Sequence, residues 1–143
     1  MSGVCDPALS RGVEAFFKAI GAADVEGRLS LFSADAVVHD PVGSPPAEGP
    51  DAIRRLWLEI AGLFESLAVT QHETFYAGNG AAVKWVGRGR GVNGAEVEFE
   101  GIDVFEFNDH GYIQTLMSYW DPAKVVLDLA GENEDPGGAG VGG

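Results

Sequence analysis

The apolar positions of the chain change period once, near Leu67, and that change separates a helical first half from a stranded second half. Leu9, Val13, Phe16, Phe17 and Ile20 recur at helical spacing and lay one stripe along a helix from about Leu9 to Gly21. A second short helix is expected from about Val25 to Phe32, with Asp24 as its N-cap. Ala36 to Asp40 reads as a brief strand, ended by Pro41, which cannot donate to a ladder. Pro41 to Pro50 holds four prolines and two glycines and is expected to be a loop. Pro50-Asp51 then opens a third helix that buries Ile53, Leu56, Trp57, Ile60 and Phe64.

Beyond Leu67 the pattern alternates. Four strands are expected, at about Leu67–Tyr76, Ala81–Arg90, Ala95–Phe107 and Tyr112–Trp120. Ala77-Gly78-Asn79-Gly80, Gly91-Val92-Asn93-Gly94 and Asn108-Asp109-His110-Gly111 join them, each with the glycine or asparagine that a tight turn needs. Helices first and then an antiparallel meander predict an α+β fold, a curved sheet with helices over one face. The expected division is one domain over residues 1–130 and a flexible, glycine-rich acidic tail over 131–143.

Within the third strand, Val97, Phe99, Gly101, Asp103, Phe105 and Phe107 share one parity, and Glu96, Glu98, Glu100 and Glu106 share the other. Successive strand side chains face opposite ways, so Asp103 falls on the aromatic, buried side. A lone carboxylate there is costly to desolvate and tends to stay protonated, which makes it a hydrogen-bond donor. The competing reading is a bulge at Gly101 that turns Ile102 and Val104 inward and Asp103 outward. Asp40 has two readings as well: a turn carboxylate before proline, or a base at the end of an apolar strand.

The run Asp35-Ala36-Val37-Val38-His39-Asp40-Pro41-Val42-Gly43-Ser44-Pro45-Pro46, with Gly49 and Ala52-Ile53-Arg54 after it, resembles the ketosteroid isomerase family. Gly101-Ile102-Asp103-Val104-Phe105-Glu106-Phe107-Asn108 is similar to that family's acid-bearing strand, and order and spacing agree from about Val13 to Trp120. The wider group is the SnoaL-like and nuclear transport factor two-like superfamily. The resemblance implies a cone: a strongly curved antiparallel sheet with three N-terminal helices enclosing an apolar pocket. It implies Asp40 as a general base and Asp103 as a neutral acid that donates to a developing oxyanion, without a cofactor. Ketosteroid isomerase is itself the standard example of a carboxylic acid kept neutral for that purpose.

The match departs at Phe16, where the family carries a tyrosine that is the second oxyanion donor. A phenyl ring donates no hydrogen bond, and losing one such donor typically costs ~10²–10³ in rate. Tyr119, Trp120, Tyr76, Trp57 and His72 are candidate replacements. SnoaL-like relatives close rings in polyketide natural products and others open epoxides in polyether assembly, reactions that need no such tyrosine. The expected function is therefore a natural-product cyclase or isomerase acting on an apolar polyketide-like or polycyclic molecule. Alternatives are a delta-5-3-ketosteroid isomerase proper, a polyether-type epoxide hydrolase or cyclase, and a non-catalytic binding module. Phe16, Trp57, Glu65, Phe99, Tyr119 and Trp120 are the expected substrate-binding residues, although Glu65 also reads as a solvated charge. The resemblance further implies a homodimer.

Composition narrows the partners. A net charge of −13, from 22 acidic against nine basic residues, argues against nucleic acid and anionic membranes. No apolar run approaches the ~20 residues of a membrane span, and the N-terminus lacks the apolar stretch of a signal peptide, so the cytoplasm is the expected location. The single Cys5 allows no internal disulfide. His39, His72 and His110 sit on separate elements without metal-ligand spacing, and Ser44 has no neighbouring base. Gly87-Arg88-Gly89-Arg90-Gly91 suggests a phosphate-contacting loop, but in so acidic a chain it reads as a curved strand end.

Overall fold

The computed structural model describes residues 7–131. Helix α1 spans Pro7–Gly21 and buries the Leu9, Val13, Phe16 and Phe17 stripe. Helix α2, Val25–Leu29, is capped as expected: the Asp24 side chain accepts from the Gly27 N–H. It stops three residues short of the expected Phe32, because Phe32 is drawn into the sheet opposite Ile113. Strand β1 is accordingly longer than its apolar run, Phe32–His39. Its polar stretch is held by Gln114, whose side-chain amide donates to both the Asp35 carbonyl and the Asp35 carboxylate.

The proline-rich loop contains a two-residue strand, β2 (Ala47–Glu48), paired with Val37 and Val38. Helix α3, Pro50–Ala61, has proline in its first turn and buries Ile53 and Trp57. Then come β3 (Ser66–Ala77), β4 (Gly80–Arg90), β5 (Glu96–Phe107) and β6 (Ile113–Tyr119), within a residue or two of their expected bounds. A helix that the pattern left unassigned, α4 (Pro122–Leu129), closes the described chain. Asp121 caps it by accepting from the Ala123 and Lys124 N–H groups, and it buries Val125.

The sheet runs β2-β1-β6-β5-β4-β3. It is not wholly antiparallel, as the alternating half suggested, because β1 lies parallel to β6. Its curved, unclosed concave side takes up α1 and α3, and the core fills the space between them. Phe16 is at the centre of that core, with edge-to-face contacts to Phe17, Trp57 and Phe105. The glycines of β4 fit this packing as well as the curvature: a Cβ at Gly87 would press on the Phe99 ring, and one at Gly89 would collide with Phe64.

Candidate active site

β4 and β5 pair without a break from Gly80↔Glu106 to Arg90↔Glu96. There is no bulge at Gly101, so parity holds: Ile102 and Val104 face out and Asp103 faces in, 3% exposed. Its neighbours in register are Val83 on β4 and Ser118 on β6. Asp103 Oδ1 accepts from Ser118 Oγ at 2.6 Å and from Trp85 Nε1 at 2.9 Å. The Trp85 indole reaches it by lying across Gly101, where a Cβ would strike both that ring and the Tyr119 carbonyl. Burial first, and then the charge of Asp40, push the Asp103 carboxyl up to about 7, against the pull of Ser118, Trp85 and Arg28.

Asp40 follows β1 directly. The parallel pairing of His39 with Met117, and a 2.8 Å bond from the Val42 N–H to the Ser118 carbonyl, set it beside the end of β6. There Trp120 Nε1 donates to Asp40 Oδ1 at 2.7 Å. Burial also raises the Asp40 carboxyl, while Trp120, the charge of Arg28, and the Trp57 and Ser118 side chains hold it down. The two acids thus differ in their surroundings. The charge of Asp40 is, after burial, the second cause that raises the Asp103 carboxyl.

Sequence reasoning missed the third charged group, Arg28. It stands three residues after Val25 on α2, on the same face as that partly buried side chain, and this spacing was the available signal. Its guanidinium carbon lies 3.9 Å above the Trp57 ring and 5.1 Å from that of Phe16. Burial lowers its pKa to about 10, with Asp40 and Asp103 opposing the fall. Arg28 Nε is buried and has no hydrogen-bond partner.

Asp40, Asp103, Ser118 and Arg28 line one cavity of about 60 Å³, walled by Phe16, Phe99, Trp85 and Trp120 among others. It shares Ile20, Arg28, Ile60, Phe64 and Leu67 with an outer hollow of about 280 Å³ between α1–α2 and α3–β3. Together they approach the lower end of the size range of small-molecule sites. Phe99 is the hub of the inner wall, stacked on Phe64, edge-to-face with Trp85 and tilted against Trp120.

The expected site residues divide. Asp40, Asp103, Phe16, Phe99 and Trp120 meet in the inner cavity. Trp57 and Glu65 line the outer hollow, with Glu65 exposed at its rim. Tyr119 is a correction: β6 alternates, so while Ser118 faces in, Tyr119 faces out beside Ile102, 46% exposed. It therefore neither lines the cavity nor replaces a donor at Phe16. His72 is exposed on the surface. Trp85 and Ser118, the donors to Asp103, were not picked out for that role. The register Asp103↔Ser118 would have pointed to the serine. No group of three or more potential metal ligands occurs among the described residues.

A curved, unclosed sheet cupping an apolar cavity with two carboxyls at its base defines an NTF2-like cone. The chain belongs to the SnoaL-like domain family, whose pattern it matches over residues 13–115. Among solved structures it is similar to SalBIII, an epoxide hydrolase/cyclase-like enzyme of pyran ring formation in the polyether salinomycin (20% identity, 82% of this chain and 94% of that one, TM-score 0.74). It is also similar to RV0760c of Mycobacterium tuberculosis, solved with estradiol-17beta-hemisuccinate (23%, 82% and 96%, TM-score 0.73). A third likeness is to an LEH-like epoxide hydrolase of M. tuberculosis (22%, 90% and 93%, TM-score 0.72). At these identities the likeness establishes the fold.

Proposed function

We propose that the protein is a cofactor-independent acid–base enzyme that isomerises or cyclises an apolar polyketide-like or polycyclic molecule. The observation that carries this reading is the pairing of Asp40 and Asp103 in one cavity, hydrogen-bonded by different donors, with the charge of Asp40 helping to raise Asp103. Two titratable groups driven apart in this way are suited to opposite halves of a proton transfer. Asp40, ionised beside Trp120 and Arg28, takes a proton from the carbon or hydroxyl that reacts. Asp103, held neutral, donates its proton in a hydrogen bond to the oxygen on which charge builds. In ring formation by conjugate addition the hydroxyl loses its proton to Asp40 as its oxygen bonds to the β-carbon of an enone. The C=C π pair shifts so that charge builds on the carbonyl oxygen beside Asp103, and the proton on Asp40 returns to the α-carbon as the enolate collapses to the ketone.

Phe16 in place of a hydroxyl-bearing side chain favours ring formation over efficient steroid isomerisation. The polyether enzyme SalBIII, sharing the fold, makes pyran formation a fitting precedent. The steroid ester bound by RV0760c shows that this fold admits polycyclic molecules. The test is to offer the wild type and Asp40→Asn two probes: a delta-5-3-ketosteroid, followed by conjugated-enone absorbance, and a hydroxy-enone able to close to a tetrahydropyran, followed by chromatography. Turnover that Asp40→Asn abolishes supports the mechanism, and the probe converted tells isomerase from cyclase. A folded protein that binds both probes and converts neither is a binding module instead.

The outer face of the sheet carries Phe75, Ile102, Val104 and Tyr119, all substantially exposed. Phe75, Ala82, Val104 and Met117 are aligned across four strands in register, with Ile102 and Tyr119 in the next row. We propose that a second copy of the chain covers this face. Sedimentation would then give a dimer for the wild type and a monomer for Val104→Lys.

A further inference from the structure

Arg28 acts on the acid–base pair through its charge alone, which lowers Asp40 and Asp103 alike. A buried guanidinium that only supports the fold is normally matched by a carboxylate, because an unpaired charge is costly to desolvate. Arg54, a partly exposed arginine of α3, still pairs with Glu26 at 2.6 Å and with Asp51 at 3.0 Å. No carboxylate lies within ion-pair distance of Arg28 among the described residues, and its Nε–H is buried with no acceptor. The group is nevertheless held in place, stacked on Trp57 and against the edge of the Phe16 site, where it lines both the inner cavity and the outer hollow.

We infer that Arg28 is a catalytic residue whose guanidinium, in the cavity wall, donates to the substrate oxygen as the second oxyanion donor beside Asp103, supplied from α2 across the ring of Phe16. This rests on the reading of Asp40 as the base. The charge balance of the step supports it. Before reaction the cavity holds one negative charge on Asp40 and one positive charge on Arg28. When Asp40 takes the substrate's proton, the electron pair left behind moves to the substrate oxygen, so the negative charge passes from one neighbour of Arg28 to another. Return of the proton from Asp40 reverses the transfer, and no other reactant is needed. A fixed cation next to both positions requires no reorganisation during the step. The ligand class follows: molecules with a ketone, enol or phenol oxygen that becomes anionic, in preference to apolar molecules of the same shape.

The probe is 4-nitrophenol, whose ionisation is visible in its absorbance. It is titrated bound to Asp40→Asn protein, in which the neighbouring carboxyl is neutral as it is after proton transfer. Its midpoint should lie about one pH unit or more below that of the free phenol, the size of shift a close cation produces. In Asp40→Asn/Arg28→Met the midpoint should return to the free value or rise above it. An identical midpoint in the two proteins overturns the assignment, and so does failure of the anion to bind. Should the double variant not fold, competition between 4-nitrophenol and 4-nitrotoluene in Asp40→Asn protein above the phenol's midpoint decides. A preference for the anion of about tenfold supports the assignment, and equal binding overturns it. Turnover that survives Asp40→Asn would sink the base without altering any of these readings, so the two ideas fail separately.

Discussion

Trp120 and Trp85 each tune one of the two carboxyls, and their contributions are separable. Trp120 gives Asp40 a hydrogen bond that favours the charged form, so removing it must raise the carboxyl further. Trp120→Phe keeps most of the ring packed on Phe99 and deletes only that donor. The acid limb of the kcat/KM profile should therefore move to higher pH, while the alkaline limb, set by Asp103, should stay in place. An unmoved acid limb would mean that Asp40 is not the base. Gly101 acts indirectly, by leaving room for the Trp85 indole to reach Asp103. Gly101→Ala should displace that ring, break its bond to Asp103 and cost about 1–3 kcal/mol through overpacking. Urea denaturation would measure the cost, and changed tryptophan fluorescence would report the moved indole.

Among the elements, what was legible depended on whether neighbours in sequence or neighbours in space decided the outcome. The long strands β3, β4 and β5 were readable because alternation and turn glycines are local signals, and Asp103 came with them because no bulge broke its parity. Asp40 became convincing only through the surrounding Asp-Pro-Val-Gly-Ser run, since a carboxylate before proline is common in turns. The first part of β1 was not readable: Ser33 and Asp35 look like a turn, and they lie in a strand because Gln114, far along the chain, binds them. Likewise Arg28, on a five-residue helix, had only its spacing from Val25 to mark its face, and its place is set by α3, which brings Trp57 beneath it. The element that presents Arg28 is short and depends on its cap. Asp24→Ala removes the acceptor for the Gly27 N–H and should cost about 1 kcal/mol. If Arg28 works as inferred, activity should fall more than the small loss of stability alone explains. Parallel urea melts and assays would compare the two.

For the molecule as a whole, burying a neutral acid in a chain of net charge −13 makes stability depend on pH in an unusual direction. Most carboxylates in folded proteins are lowered, as Glu26 and Asp35 are here, and they stabilise above their unfolded pKa values. Asp103 runs the other way. Its carboxyl moves from 3.8 to about 7 on folding, so between those values the folded chain holds a proton that the unfolded chain has released. Its favourable contribution is complete below about 4 and is lost as pH rises toward 7, and Asp40, also raised, acts in the same direction. At about 1.4 kcal/mol per pKa unit the loss is on the order of a few kcal/mol, a large part of the stability of a typical domain. Urea denaturation between pH 5 and 8 isolates the effect, because the lowered carboxylates have finished titrating below that window. The wild type should weaken across it, and Asp103→Asn, which cannot ionise, should weaken much less. Self-repulsion of the acidic surface is common to both proteins and cancels in the difference. Equal slopes would show that Asp103 is already ionised at pH 5, which would remove the neutral acid from the proposed mechanism. A gap that closes as pH falls to 5 would identify the group that shuts off activity above about pH 7.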